Sequence, residues 1–159
     1  MTTKNTDLVA NFEATPQVAN SAAELAGVLR TAHGSVELAA GDSTDNDIVM
    51  LAPIPSNAAV PQLFVGSDTF GGSCTFNVGI YTSAGVVKDE DVFATSVADA
   101  AAMADVRYEA ADLNTGSKKL WELAGDSEDP GGYFYIAITF NATGGTAGTL
   151  NWNISYVVN

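Results

Sequence analysis

The sequence predicts an all-β protein in which two antiparallel sheets pack face to face as a sandwich. Three segments carry this prediction, because apolar residues recur in them at every second position, as on one face of a strand. The three apolar sets are Leu150, Trp152, Ile154, Tyr156 and Val158; Phe134, Ile136, Ile138 and Phe140; and Cys74, Phe76, Val78 and Ile80. Strands with one apolar face bury it against a second sheet or by closing into a barrel.

The same alternation predicts the core. Side chains on the apolar faces should meet between the sheets and exclude water. We expect the core to contain Phe76, Val78, Ile80, Ile136, Ile138, Trp152 and Ile154. Cys74 lies in the same pattern, so we expect the one cysteine of the chain to be a small buried residue rather than a nucleophile.

Weaker patterns predict the other elements. Extended structure is expected over residues 28–38, 48–51 and 60–65, with Pro53 and Pro55 marking a strand end or a sheet edge. A helix is expected over residues 91–104, where apolar residues recur at intervals of three and four. The rest of the chain is assigned as a short strand at 107–111, a helical turn at 118–124, a turn at 126–132, and a turn at 143–148 that joins the two strongest strands into an antiparallel hairpin.

An extended arm is predicted at residues 1–23, ahead of a sandwich domain at residues 24–159. The arm is polar, so it has little apolar surface to offset the entropy lost on ordering. We therefore expect the arm to order against a partner. Its candidate contact residues are Asp7, Phe12, Pro16 and Val18.

Tyr133 and Tyr135 are candidate contact residues of the domain itself. They alternate with Phe134, Ile136 and Ile138, so they lie on the opposite face of their strand. That face must meet solvent, a second layer or a partner.

Composition limits the classes of partner. The 159 residues include 19 acidic and six basic side chains, which leaves a net charge of −13. This charge repels nucleic acid and anionic lipid, so we expect neither as a direct partner. The chain has no run of about 20 apolar residues and no start typical of a secreted protein, so we expect it to be made and used without export.

No combination of residues predicts catalysis, a metal site or a bound cofactor. His33 is the one histidine, and no Gly-x-Ser-x-Gly motif accompanies it. Acidic groups at residues 42–47, 89–91 and 126–129 could offer oxygen ligands to Ca²⁺, but none has the spacing of a calcium loop, and we interpret them as solvated turns. A glycosidase with two opposed carboxylates stays open, because acidic residues are abundant.

Four segments resemble a family of small virion proteins of tailed bacteriophages. They are residues 47–58 (DIVMLAPIPSNA), 78–85 (VGIYTSAG), 88–94 (KDEDVFA) and 120–132 (LWELAGDSEDPGG), and the similarity extends over about residues 27–158. Members of this family resemble head decoration or cement proteins. The resemblance implies a β-sandwich with a jelly-roll-like arrangement of about eight strands.

The resemblance also implies a role. It points to a non-enzymatic protein, made in the host cytoplasm, that binds the major capsid protein on the outer face of the phage head, often as a trimer. The alternative is a carbohydrate-binding sandwich on the phage tail or a fibre, which a row of exposed aromatic side chains would favour.

Overall fold

The computed structural model of the protein describes residues 5–22, 24–109 and 112–158. The predicted arm and domain limits at residues 1, 23 and 159 lie outside this part of the chain. The described elements, in order, are α1 (Asp7–Glu13), β1 (Leu29–Leu38), β2 (Ile48–Pro55), β3 (Ala58–Ser67), β4 (Thr75–Tyr81), β5 (Val87–Ala98), β6 (Ala104–Asp105), a 3₁₀ turn (Leu113–Thr115), α2 (Leu120–Leu123), β7 (Tyr133–Phe140) and β8 (Gly148–Val158).

The strands form two four-stranded antiparallel sheets, which confirms the predicted all-β sandwich. Sheet A has the order β1-β8-β3-β6, and sheet B has the order β2-β7-β4-β5. This pair of orders is that of a jelly roll. The predicted hairpin at residues 143–148 is wrong, because β7 belongs to sheet B and β8 to sheet A. The turn instead carries the chain from one sheet to the other.

The core lies between the sheets, largely where the alternation predicted it. Six of the seven expected side chains have no exposed surface, and they are Phe76, Val78, Ile80, Ile136, Ile138 and Ile154. Trp152 packs against the core but is only half-buried. Its ring lies across Gly34 on the neighbouring strand, where an added Cβ would come within 2.7 Å of the ring. The predicted buried state of Cys74 is confirmed.

The helix predicted over residues 91–104 is wrong, because most of this segment belongs to β5. Phe93, Ala94 and Val97 are buried, which is a helix-like spacing. In the structure this spacing arises from irregular pairing, since the register of β5 with β4 shifts at three points. Two of the shifts add one residue to β5 and the shift between Val78 and Ile80 adds three. Extra residues re-aim the side chains that follow, so the alternation of a regular strand is lost.

The prediction for Pro53 and Pro55 is confirmed, because β2 is an edge strand of sheet B and ends at Pro55, where a missing N–H is tolerated. Two further predictions differ from the structure. Residues 107–109 form a turn rather than a strand, and residues 110–111 of that predicted strand lie outside the described residues. The arm is not wholly extended, since α1 lies within it. The helical turn predicted at 118–124 is confirmed by α2.

Arg107 lies inside the fold, with no exposed surface. Its Nε donates to the Val60 carbonyl at 2.6 Å, and Nη2 donates to the Thr115 carbonyl at 3.0 Å. The guanidinium also lies 5.0 Å from the ring centroid of Phe93 and 4.8 Å from that of Tyr108. Burial lowers the pKa of Arg107, but these contacts solvate the charge and fasten the segment after β6 to sheet A.

Candidate interaction surface

The strand registers place the start of β1 and the start of β7 at the same end of the sandwich. Leu29 pairs with Val157, so β1 begins where β8 ends. The corner between β2 and β3 lies at this end too, and there the Ser56 N–H donates to the carbonyl of Gly132 at 3.0 Å. Tyr133 follows immediately. We call this end of the sandwich the basal end, and the arm leaves the domain from it.

Exposed apolar side chains gather at the basal end. β5 also begins there, because Val87 pairs with Tyr81 and Tyr81 pairs with Tyr135. Between 49% and 73% of the surface is exposed for each of Val28, Leu29, Val86, Val87 and Tyr133. We call these five residues the basal surface. They lie on both sides of this end, since β1 is an edge strand of sheet A and β5 is the edge strand of sheet B far from β2. Exposed apolar side chains are candidates for contact with a partner.

Asp129 fixes the loop that leads into Tyr133. Its Oδ1 accepts a hydrogen bond from Ser56 Oγ at 2.6 Å and another from the Gly131 N–H at 2.9 Å. These hydrogen bonds, that of Ser56 first, lower the pKa of Asp129 and keep it ionised. Gly131 adopts a φ of +71°, which suits glycine. The loop therefore holds Tyr133 at the rim of sheet B.

The predicted orientation of the tyrosines is confirmed. Phe134, Ile136 and Ile138 are buried in the core, whereas Tyr133 is exposed and Tyr135 is half-buried on the outer face of sheet B. Both tyrosines pair with prolines of the edge strand β2, Tyr133 with Pro55 and Tyr135 with Pro53.

The arm is held by bonds within itself. The Val18 N–H donates to the Asn11 carbonyl at 3.1 Å, and Asn11 Nδ2 donates to Asn20 Oδ1 at 2.8 Å. None of the residues of α1 is buried, and 67% of the Phe12 surface is exposed, as is 51% of the Val18 surface. The arm therefore carries a small apolar surface that its own domain does not cover.

The structure brings some of the predicted contact residues together. Phe12 and Val18 are both exposed on the arm, with Asp7 in the first turn of α1 and Pro16 between them. Tyr133 belongs to the basal surface, at the end from which the arm leaves. Among the described residues, no backbone hydrogen bond or aromatic ring contact joins the arm to either tyrosine. The sequence does not identify four residues of the basal surface as contact residues, because a two-residue period does not show which strand ends are exposed: Val28, Leu29, Val86 and Val87.

The opposite, distal end of the sandwich is acidic. Its loops and strand ends carry Glu37, Asp42, Asp45, Asp47, Asp68 and Asp99, with no lysine or arginine. Several of these carboxylates accept backbone hydrogen bonds, as Asp99 does from Phe70 at 2.7 Å and Asp68 from Thr149 at 3.0 Å. They cap the turns that join the two sheets. Over residues 5–22, 24–109 and 112–158, no three acidic, histidine or cysteine side chains are placed to hold a metal ion.

A shallow groove of about 300 Å³ contains three carboxylates, those of Asp89, Asp91 and Asp112. Burial raises the pKa of Asp89, and the neighbouring Asp91 carboxylate adds to this effect. Asp89 and Asp91 are two residues apart on β5, so they are neighbours rather than groups opposed across a cleft. His33 lies elsewhere, exposed on the outer face of β1 opposite Asn153.

Comparisons with known proteins found similarity to solved structures. No family model and no curated protein sequence matches the chain. The capsid asymmetric unit of cyanophage Pam1 contains a similar chain, with a TM-score of 0.44 and 15% identity over 84% of this chain and 86% of that one. None of the helices in the described part of the chain is long and apolar enough to span a membrane.

Proposed function

We propose that the protein is a non-enzymatic virion protein of a tailed bacteriophage that binds the major capsid protein on the outer face of the head and stabilises the shell. The observation that carries the proposal is the exposure of Phe12 and Val18 on the arm, which joins the sandwich at the end that carries the basal surface. The resemblance of four segments to phage virion proteins supplies the class of partner. The jelly roll agrees with the fold that the resemblance implies.

The two ends of the sandwich give the proposal an orientation. The basal end, which carries the exposed apolar side chains as well as the carboxylates of loop 126–129, would face the shell. The distal end, which has acidic but no basic side chains, would face solvent. Water solvates carboxylates well, whereas burying them in an interface without partners costs free energy. A capsid repeats the same site many times, so modest contacts made by linked copies act together.

Reconstitution on phage heads tests the proposal. Purified protein added to expanded heads should bind to saturation at a fixed ratio to capsid protein and raise the temperature at which the heads release DNA. Electron microscopy of the virion should show density for the sandwich on the head surface, basal end inward. Density on the tail alone, or heads equally stable without the protein, would contradict it.

The carbohydrate-binding alternative has less support in the structure. Tyr133 is the one aromatic side chain of the sandwich in the described residues that is largely exposed, so no row of stacking platforms is present. Binding of the purified protein to a glycan array would favour this alternative. Hydrolysis of a host polysaccharide, lost on substitution of Asp112 in the groove, would favour an enzyme instead.

A further inference from the structure

Three of the four strands at the sheet edges are blocked against pairing with another strand. β2 contains Pro53 and Pro55, which lack an N–H, and its register shifts between Met50 and Ala52. β5 has three register shifts, and β6 is two residues long. Prolines, bulges and short length are the usual means by which proteins protect sheet edges.

The fourth edge, β1, has none of these features. It is ten residues long and pairs with β8 in unbroken register from Leu29 to Leu38. It contains no proline and no lysine. Within the part of the chain that the structure describes, no strand pairs with its other side. A long, regular edge of this kind presents backbone N–H and C=O groups that a further strand can pair with.

The charge of the molecule points to a second copy as the occupant. Two chains of net charge −13 repel each other unless they meet where little charge lies. β1 contains one Arg and one Glu, and β8 and β3 beside it contain no charged residue. In a two-fold antiparallel pair of β1 strands, residues that lie opposite each other share a face, and Arg30 and Glu37 lie on opposite faces of the strand. When the two strands overlap along most of their length, each of these charges therefore lies opposite an uncharged residue, and no like charges meet.

We infer that the β1 edge of sheet A pairs antiparallel with β1 of a second copy, so that two sheets A form one continuous eight-stranded sheet. Identical strands paired in this way are related by a two-fold axis, so the product is a dimer. The inference does not depend on the proposed role on the phage head. A dimer that binds no heads would contradict only that role, and a head-binding monomer would contradict only this inference.

The test measures the molar mass of the full chain by sedimentation over a range of concentrations. The wild-type protein should be a dimer. The variant His33→Lys/Ser35→Lys places lysines on the edge, opposite the same strand of the second copy, where like charges repel. Its dimerisation should weaken by about tenfold or more.

The matched control is Asn151→Lys/Asn153→Lys. These residues pair with Ser35 and His33 on the same face, one strand inward from the edge, and the added charge is equal. The control should remain a dimer. A second measurement needs only the wild-type protein. Hydrogen exchange of the backbone amides of β1 should become faster on dilution, whereas that of β8 should not. A monomer at all concentrations, a trimer, or equal weakening of both variants would overturn the inference.

Discussion

Phe140 shows how a single residue joins a strand, its neighbour in the same sheet and a connecting loop within the core. It has no exposed surface, and its ring meets Phe70 and Phe76 edge-on at 5.5 and 6.1 Å between centroids. Phe140→Ala should lower the free energy of unfolding by about 3–5 kcal/mol in denaturant titrations. Trp152→Ala should cost less, although the side chain is larger, because part of the ring stays in water. Phe12→Ala, in the arm, is the control and should change stability by less than about 0.5 kcal/mol.

Arg107 is a buried charge without a carboxylate partner among the described residues. Arg107→Lys keeps the charge, but an ammonium group cannot stack on two rings and reach both carbonyls. Each buried acceptor left unpaired costs roughly 1–3 kcal/mol, so the free energy of unfolding measured in denaturant should fall by about that amount. Arg30→Lys, on exposed β1, is the matched control and should be neutral. A neutral Arg107→Lys would mean that the buried contacts contribute little.

Asp89 should make the stability of the folded protein depend on pH. Burial raises the pKa of Asp89 above its ordinary value of 3.8, so ionisation opposes folding. This group therefore favours the folded state below its ordinary pKa, and that contribution is lost as pH rises through the raised value. Asp89→Asn should increase the melting temperature at pH 7, with the gain shrinking as pH falls toward 4. Glu128→Gln removes an exposed charge as the control, and an equal gain there would assign the effect to net charge.

Ser96 illustrates how an element departs from its ideal form. It lies in β5 with a φ of +56°, and its N–H donates to Asn77 Oδ1 at 2.9 Å. A β-branched side chain at this φ is strained, so Ser96→Val should lower the free energy of unfolding by about 1–2 kcal/mol. Ser96→Gly should not destabilise the protein. Thr95→Val, at the next residue, is the control, and equal losses at both sites would show that the bulge geometry is unimportant.

The same bulges explain which elements the sequence predicts well. β4, β7 and β8 keep a two-residue period because their apolar faces meet the core along their whole length. β5 does not, since bulges set by pairing with β4 shift its inward side chains into a helix-like spacing. The hairpin error has a different cause. A glycine-rich turn reverses the chain, but whether the next strand joins the same sheet depends on long-range pairing.

The interaction surface was predictable only in part, again for physical reasons. Alternation separates Tyr133 from its buried neighbours, and polarity marks the arm. The ends of strands are different, because exposure there depends on where the opposite sheet stops. Val28 and Val87 are apolar, so the sequence alone would place them in the core, but in the folded molecule both are exposed. Arg107 is the converse case, a charged residue whose burial needs three distant segments to converge.

At the scale of the whole molecule, we expect stability to depend on the sandwich and binding to depend on the arm. The core lies wholly within the sandwich, while α1 buries none of its residues. The variant Val9→Ser/Phe12→Ser should therefore leave the melting temperature unchanged, and its affinity for expanded phage heads should fall about tenfold or more. Leu113→Ser is the matched control, because Leu113 is 84% exposed but lies outside the arm. It should bind heads like the wild-type protein. Equal binding by all three proteins would show that the arm has no part in attachment, and attachment would then have to depend on the basal surface alone.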